Sequence, residues 1–171
     1  VQIYHGKEDV IKRQLYENHR HDVFWLARHY LDNKQYDKAI SAYQKLPYTM
    51  EAFRNVVNVY YSIGNYDKIK ELIDGLQDRN RHEGFKFMIE FYGKKKALNQ
   101  LKDIFAKLLR EKEPDRHTDE LVWTTVNSFH HSGREHWEWA MQQISEYYPR
   151  LSRRADYELA KRHWQSPEYL D

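Results

Sequence analysis

Histidines crowd three places in this sequence: His19 and His21 on either side of Arg20, the pair His130-His131, and nearby His136. Imidazoles ligate zinc and move protons, but a helix offers zinc two ligands only at i, i+3 or i, i+4 on one face, as in His-Glu-x-x-His. Adjacent helical residues point about 100° apart and an i, i+2 pair about 160° apart, so these pairs cannot share an ion unaided. No zincin motif occurs, and the histidines are expected to be surface or groove residues with no metal and no cofactor. Carboxylates for acid–base work should stand isolated among apolar neighbours. Instead Glu51, Glu71, Glu90, Glu111, Glu120 and Glu138 sit in ordinary amphipathic surroundings. A Gly-x-Ser-x-Gly elbow and a Gly-rich phosphate loop are both missing, so no enzyme activity is expected. The basic clusters Lys94-Lys95-Lys96, Arg150…Arg153-Arg154 and Lys161-Arg162 could touch phosphates, but they equally suit solvated helix ends, where cations complement the dipole. Of the five tryptophans, most are expected in the core. Trp25 and Trp123, each next to an apolar-series residue, belong at the edge of the buried stripe.

These residues belong to a chain of 171 with no Cys, 28 Lys+Arg, 26 Asp+Glu and a formal net charge of +2. The absence of cysteine removes disulfide scaffolds, Cys-ligated metals and thiol nucleophiles. The small net charge argues against nucleic acid as the main partner. No apolar run reaches the 18 or so residues of a membrane span, and no signal-peptide pattern is visible, so a cytoplasmic location is expected. The first residue is Val1 rather than Met, as expected of a fragment of a longer protein. Mean hydropathy is −1.00, low enough for a disordered chain, yet 14 Tyr, 7 Phe and 5 Trp are the opposite of a disordered composition.

Apolar spacing is helical throughout. Val23, Leu26, Ala27 and Tyr30 follow i, i+3, i+4, i+7; Phe53, Val56, Val57 and Tyr60 repeat the series, and Val122, Thr125, Val126 and Phe129 give it again. Breaks fall at Pro47, Gly64, Gly75, Gly93, Pro114, Gly133 and Pro149. No hairpin alternation occurs. The pattern predicts an all-α chain of about eight helices joined by short turns.

The chain also repeats itself. Tyr30 pairs with Tyr60, and Tyr36-Asp37-Lys38 with Tyr66-Asp67-Lys68, at a shift of 30; Val126, Phe129 and Gly133 match Val57, Tyr60 and Gly64 at a shift of 69. Between them Phe87, Met88 and Phe91 could form the first helix of another unit, with Leu101 to Leu109 its second. The stretch Leu26-Ala27…Tyr30…Tyr36-Asp37-Lys38-Ala39…Tyr43…Pro47 resembles the tetratricopeptide repeat. Phe53…Val57…Tyr60…Gly64…Tyr66-Asp67 carries most of the same pattern, whereas 81–110 and 119–148 match it in outline. A helical hairpin cannot bury both faces alone, so hairpins stack.

The resemblance implies a right-handed α-solenoid of stacked antiparallel hairpins in one helical-repeat domain over 1–171. Its parts would be an N-terminal capping helix in 1–20, repeats at 21–47 and 50–77, degenerate repeats at 81–111 and 118–148, and a C-terminal capping helix at 151–165. It further implies a non-catalytic scaffold that binds a peptide or partner helix in a concave groove, within a larger assembly. Groove positions would be Phe24, Trp25, Arg28 and Leu31, then Arg54, Asn55, Asn58 and Tyr61, then Asn127 and His130. Asn55 fits the family's carboxylate clamp, but Phe24 and Arg28 stand where Lys and Asn are needed. An extended peptide or helix therefore suits this groove better than a C-terminal carboxylate. Substituting Arg54 and Asn55 together should then abolish binding. The alternative is a helical-repeat module of an RNA-processing or RNA-binding assembly, since Phe85-Lys86-Phe87…Glu90-Phe91 resembles the aromatic-rich first helix of half-a-TPR repeats. A third is a stretch of coat or transport solenoid whose stacking is its whole role. RNA binding would weaken steeply with salt; a peptide groove would not.

Overall fold

A computed structural model of the chain describes residues 18–46, 49–76 and 78–164. All regular structure among them is helical. Nine helices are found: α1 (18–32), α2 (Tyr36–Gln44), α3 (Met50–Ser62), α4 (Tyr66–Asp74), α5 (Asp78–Lys95), α6 (Leu98–Leu109), α7 (Arg116–Ser132), α8 (Arg134–Tyr147) and α9 (Ser152–Trp164). The count exceeds the expected eight because one break contains neither Gly nor Pro: α1 and α2 are parted at residues 33–35, where Lys34 is left-handed at φ 56°. The capping helix placed at 1–20 lies outside the described residues up to position 17, and residues 18–20 continue without a break into α1. No described helix is long and apolar enough to cross a membrane. The chain divides into two compact units, Val1–Gly75 and Leu76–Asp171.

Unit 1 buries one cluster drawn from all four of its helices. Val23 and Ala27 of α1 meet Ile40, Ala42 and Tyr43 of α2 and Ala52, Val56 and Val59 of α3, with Leu72 of α4 packed against them. Ala27 and Ala39 are fully buried, and having only a methyl group they let helix backbones come close. Thr49 caps α3 by accepting from Ala52 N at 3.2 Å, and Asn65 caps α4 by accepting from Lys68 N at 3.3 Å.

The first helices of successive hairpins end in one turn, made three times. Gln35 N donates to Tyr30 O at 2.8 Å, Asn65 N to Tyr60 O at 2.9 Å and Ala97 N to Tyr92 O at 2.9 Å. The residue before each donor is left-handed: Lys34 at φ 56°, Gly64 at φ 73° and Lys96 at φ 54°. This is the Schellman closure, which satisfies carbonyls a helix end would otherwise leave unpaired. It sets the register of the third unit through Tyr92, in unit 2. The helix expected on Phe87, Met88 and Phe91 is α5, in which Met88 and Phe91 are buried and Phe87 is half-exposed. In this register Ala27, Val57 and Ile89 are equivalent, as are Ala39, Ile69 and Leu101, and all six are fully buried.

In unit 2, α7 is the central element. It packs against α5, α6 and α8, and α8 in turn against α9. A Cβ at Gly93 would lie 3.2 Å from Ser128 Oγ and 3.3 Å from Ser128 Cβ, so glycine permits the close approach of α5 to α7. Phe105, Phe129 and Trp139 form a ring triad with centroids 5.5 to 5.9 Å apart. Around it Leu101, Leu108, Val122 and Ile144 are buried, each contributing about 1.5–3 kcal/mol.

Candidate functional site

The groove positions expected in unit 1 have unlike surroundings. Phe24 is half-buried, its ring 5.4 Å from that of Tyr43 and packed on the core. Leu31 packs on the same cluster. Trp25 is 72% exposed, with only His29 stacked near it at 6.0 Å. Arg28 is exposed and near enough to Tyr43 for its charge to oppose the rise that burial imposes on that phenol. Asn55 donates to Glu51 O at 2.8 Å and Asn58 to Arg54 O at 2.9 Å, so both amides are held against their own helix. Arg54 is exposed, and Tyr61 meets Tyr66 edge-on at 5.5 Å.

In unit 2 the expected positions Asn127 and His130 line concave surface. One recess of about 370 Å³ runs between α5 and α7, with Glu90, Gly93 and Lys94 facing Thr124, Asn127, Ser128 and His131. A second, of about 340 Å³, is lined by Trp123, Asn127 and His130 of α7, Trp137 and Met141 of α8, and Arg154, Glu158 and Arg162 of α9. Here two guanidinium groups lie over indole rings. Arg154 Cζ is 4.3 Å from the Trp123 ring centre and Arg162 Cζ 4.0 Å from that of Trp137. An Arg162 N–H donates to His130 Nε2 at 2.7 Å. Arg154, Glu158 and Arg162 are spaced i, i+4, i+8 and therefore share one face of α9.

Most tryptophans were expected in the core. Among those whose side chains are described, only Trp137 is buried; Trp123 and Trp139 are half-buried and Trp25 is exposed. Thin helical layers have little interior, and cation–π contact lets an indole face remain near water; Lys102 covers Trp139 in the same way, at 4.8 Å.

The recess is held in place by the first turn of α7. Asp115 and Thr118 form a capping box, with Thr118 N donating to Asp115 Oδ1 at 2.8 Å and Asp115 N to Thr118 Oγ1 at 3.3 Å. That backbone N–H bond is the main reason Asp115 stays below the usual carboxylate range. One turn on, Asp119 accepts from Tyr148 Oη at 2.8 Å and from Arg150 Nε at 2.9 Å and an Arg150 Nη at 2.8 Å. The Arg150 bond is the largest cause of its lowered pKa, and Tyr148 and opposing burial contribute as well. Burial first, then the Asp119 bond, pushes the Tyr148 phenol up. This network fastens the α8–α9 connection to α7, and Ser145 of α8 also donates to Asp156 of α9. Together they set the face of α9 that carries Arg154 and Arg162.

One group of potential metal ligands lies elsewhere among the described residues: His82 of α5 with His117 and Glu120 of α7. Two helices supply these histidines, so no spacing within one helix brings them together in the sequence. Its one readable signal was the i, i+3 spacing of His117 and Glu120. Arg154, Arg162 and Trp137 were likewise read as a helix end and a core residue, and only packing brings them together.

No family model, curated protein or solved structure matches this chain.

Proposed function

We propose that this chain is a non-catalytic interaction module, its hairpins stacked within each unit in the manner of a right-handed, tetratricopeptide-like α-solenoid. Two features support that stacking. The same helix-ending turn recurs at Tyr30, Tyr60 and Tyr92, and in unit 2 the first helix of one hairpin packs on both helices of the hairpin before it. Its role would be that of a scaffold in a cytoplasmic assembly, holding a peptide or partner helix.

The observation that carries this reading is the recess between α7 and α9, where the guanidinium groups of Arg154 and Arg162 lie over the rings of Trp123 and Trp137 beside Asn127 and His130. A guanidinium has five N–H donors, of which Arg162 gives one to His130, so the recess suits a segment that brings an acidic side chain and an apolar one. Trp and Arg in a concave, partly desolvated setting are the residues that dominate binding energy in protein interfaces.

Selection of a random displayed-peptide library against the chain, followed by fluorescence anisotropy of the winners, tests the reading. Selected peptides should carry Asp or Glu near an apolar residue. The double variant Arg154→Ala, Arg162→Ala should weaken them by about tenfold or more, with helicity unchanged by circular dichroism. Undiminished binding by that variant would move the site away from α7 and α9. Failure to select any peptide, together with RNA affinity that collapses as salt rises, would favour the RNA-assembly alternative.

A further inference from the structure

His82 stands on α5, and His117 and Glu120 stand one turn apart at the start of α7; one ligand atom from each lies within 4.8 Å of the other two. We propose that these three side chains form a binding site for a divalent transition metal of the zinc class, which pins α5 to α7. Two imidazole nitrogens and one carboxylate oxygen make a donor set that zinc accepts, leaving a fourth position for water or a partner's side chain. The rings of His82 and His117 stand edge-on with centroids 5.0 Å apart, and His82 Nε2 is 3.7 Å from Glu120 Oε2. Zinc with bonds of about 2.1 Å holds its donors about 3.4 Å apart. Closing the remaining gap takes only side-chain rotation, because His117 and Glu120 are exposed. Their backbone is already fixed by the Asp115–Thr118 capping box and the Asp119–Arg150 pair.

Two neighbouring cations bear on the site. Arg81 is committed to Glu111, whereas Lys86 Nζ lies 3.8 Å from Glu120 Oε1 and competes with a metal for that carboxylate. His82 Nδ1 is buried with no hydrogen-bond partner. Coordination through Nε2 puts the imidazole proton on Nδ1, where no acceptor waits, and an unfinished outer shell of this kind weakens zinc about 10–100-fold. Affinity on the order of micromolar is therefore expected, below that of a closed structural site.

Isothermal titration of the full chain with zinc chloride at neutral pH, after treatment with a chelator, tests the proposal. One zinc per chain should bind at this site, with a higher melting temperature that the chelator reverses. His117→Ala and Glu120→Gln, both at exposed positions, should each weaken binding about tenfold or more. Lys86→Ala should tighten it, and the control His130→Ala, His131→Ala should leave it unchanged. No saturable zinc uptake would overturn the proposal. So would uptake that His82→Ala and His117→Ala leave unaltered, since that zinc would sit on other histidines.

Discussion

The carboxylate of Asp119 holds two bonds from Arg150 and one from Tyr148, and its response to pH has a definite sign at each end of the scale. Its pKa is lowered in the fold, so the stabilisation is complete above the unfolded value of about 3.9 and is lost as pH falls through the lower folded value. Asp115 acts in the same direction. Tyr148 is shifted up, so its contribution is intact below the unfolded value of about 10 and drains away as pH rises beyond it. Melting of unit 2 should therefore be flat between these limits, falling below about pH 4 and above about pH 10. Tyr148→Phe should cost about 1 kcal/mol in chemical denaturation near neutral pH, and it should flatten the alkaline limb while only reducing the acid limb, because Arg150 remains the larger cause of the Asp119 shift. An unchanged alkaline limb would assign that limb to other groups. None of this was legible in the sequence, where Asp119 and Arg150 are 31 positions apart. Asn127 and His130 fall on one helix period, so the sequence could place them together on α7. How far round a helix the core extends is not given by that period, and the half-buried ring of Phe24 beside Tyr43 depends on it.

Helix ends were more legible than their chemistry. Gly64 announces a stop, and the left-handed φ of 73° is why glycine serves there. Lys34 and Lys96 make the same turn with a side chain attached, so the left-handed residue cannot be picked out there by its type. The burial equivalences show what the pattern did capture. Ala27 and Ala39 are small, and their counterparts Val57, Ile89, Ile69 and Leu101 are just as buried though larger. The position is held by its register in the turn, not by its size. Two substitutions separate backbone strain from packing at these ends. A Cβ on Gly64 meets nothing within 4 Å, so Gly64→Ala should cost about 1 kcal/mol through its left-handed φ alone. Lys34→Gly should do the reverse. Relief of a penalty of about 1 kcal/mol, less the entropy glycine restores to the unfolded chain, leaves a gain of about 0.5 kcal/mol. Denaturation midpoints measured for both variants should move in opposite directions. Movement in the same direction would mean that the turns are not equivalent.

At the scale of the whole chain, low mean hydropathy and many rings are reconciled by two modest units, each with its own interior. Unit 1 relies on small and branched residues around Tyr43, and unit 2 on the triad Phe105, Phe129 and Trp139. The division at Gly75–Leu76 carries a thermodynamic expectation, because a unit whose core is complete should unfold as a cooperative block by itself. Phe129 is fully buried and touches both partners of the triad, so Phe129→Ala removes a ring and opens a cavity, at about 3–5 kcal/mol. That loss is a large part of the stability of a domain this size. Tryptophan emission should report it, since Trp123, Trp137 and Trp139 all belong to unit 2. Helicity followed at the same time should show only part of the signal moving to lower denaturant, the remainder unfolding where it does in the parent chain. A fragment of residues 76–171 should likewise melt cooperatively and lose the same increment on Phe129→Ala. A single transition shifted as a whole in the full chain, with a fragment that fails to fold, would show instead that the two cores form one cooperative unit.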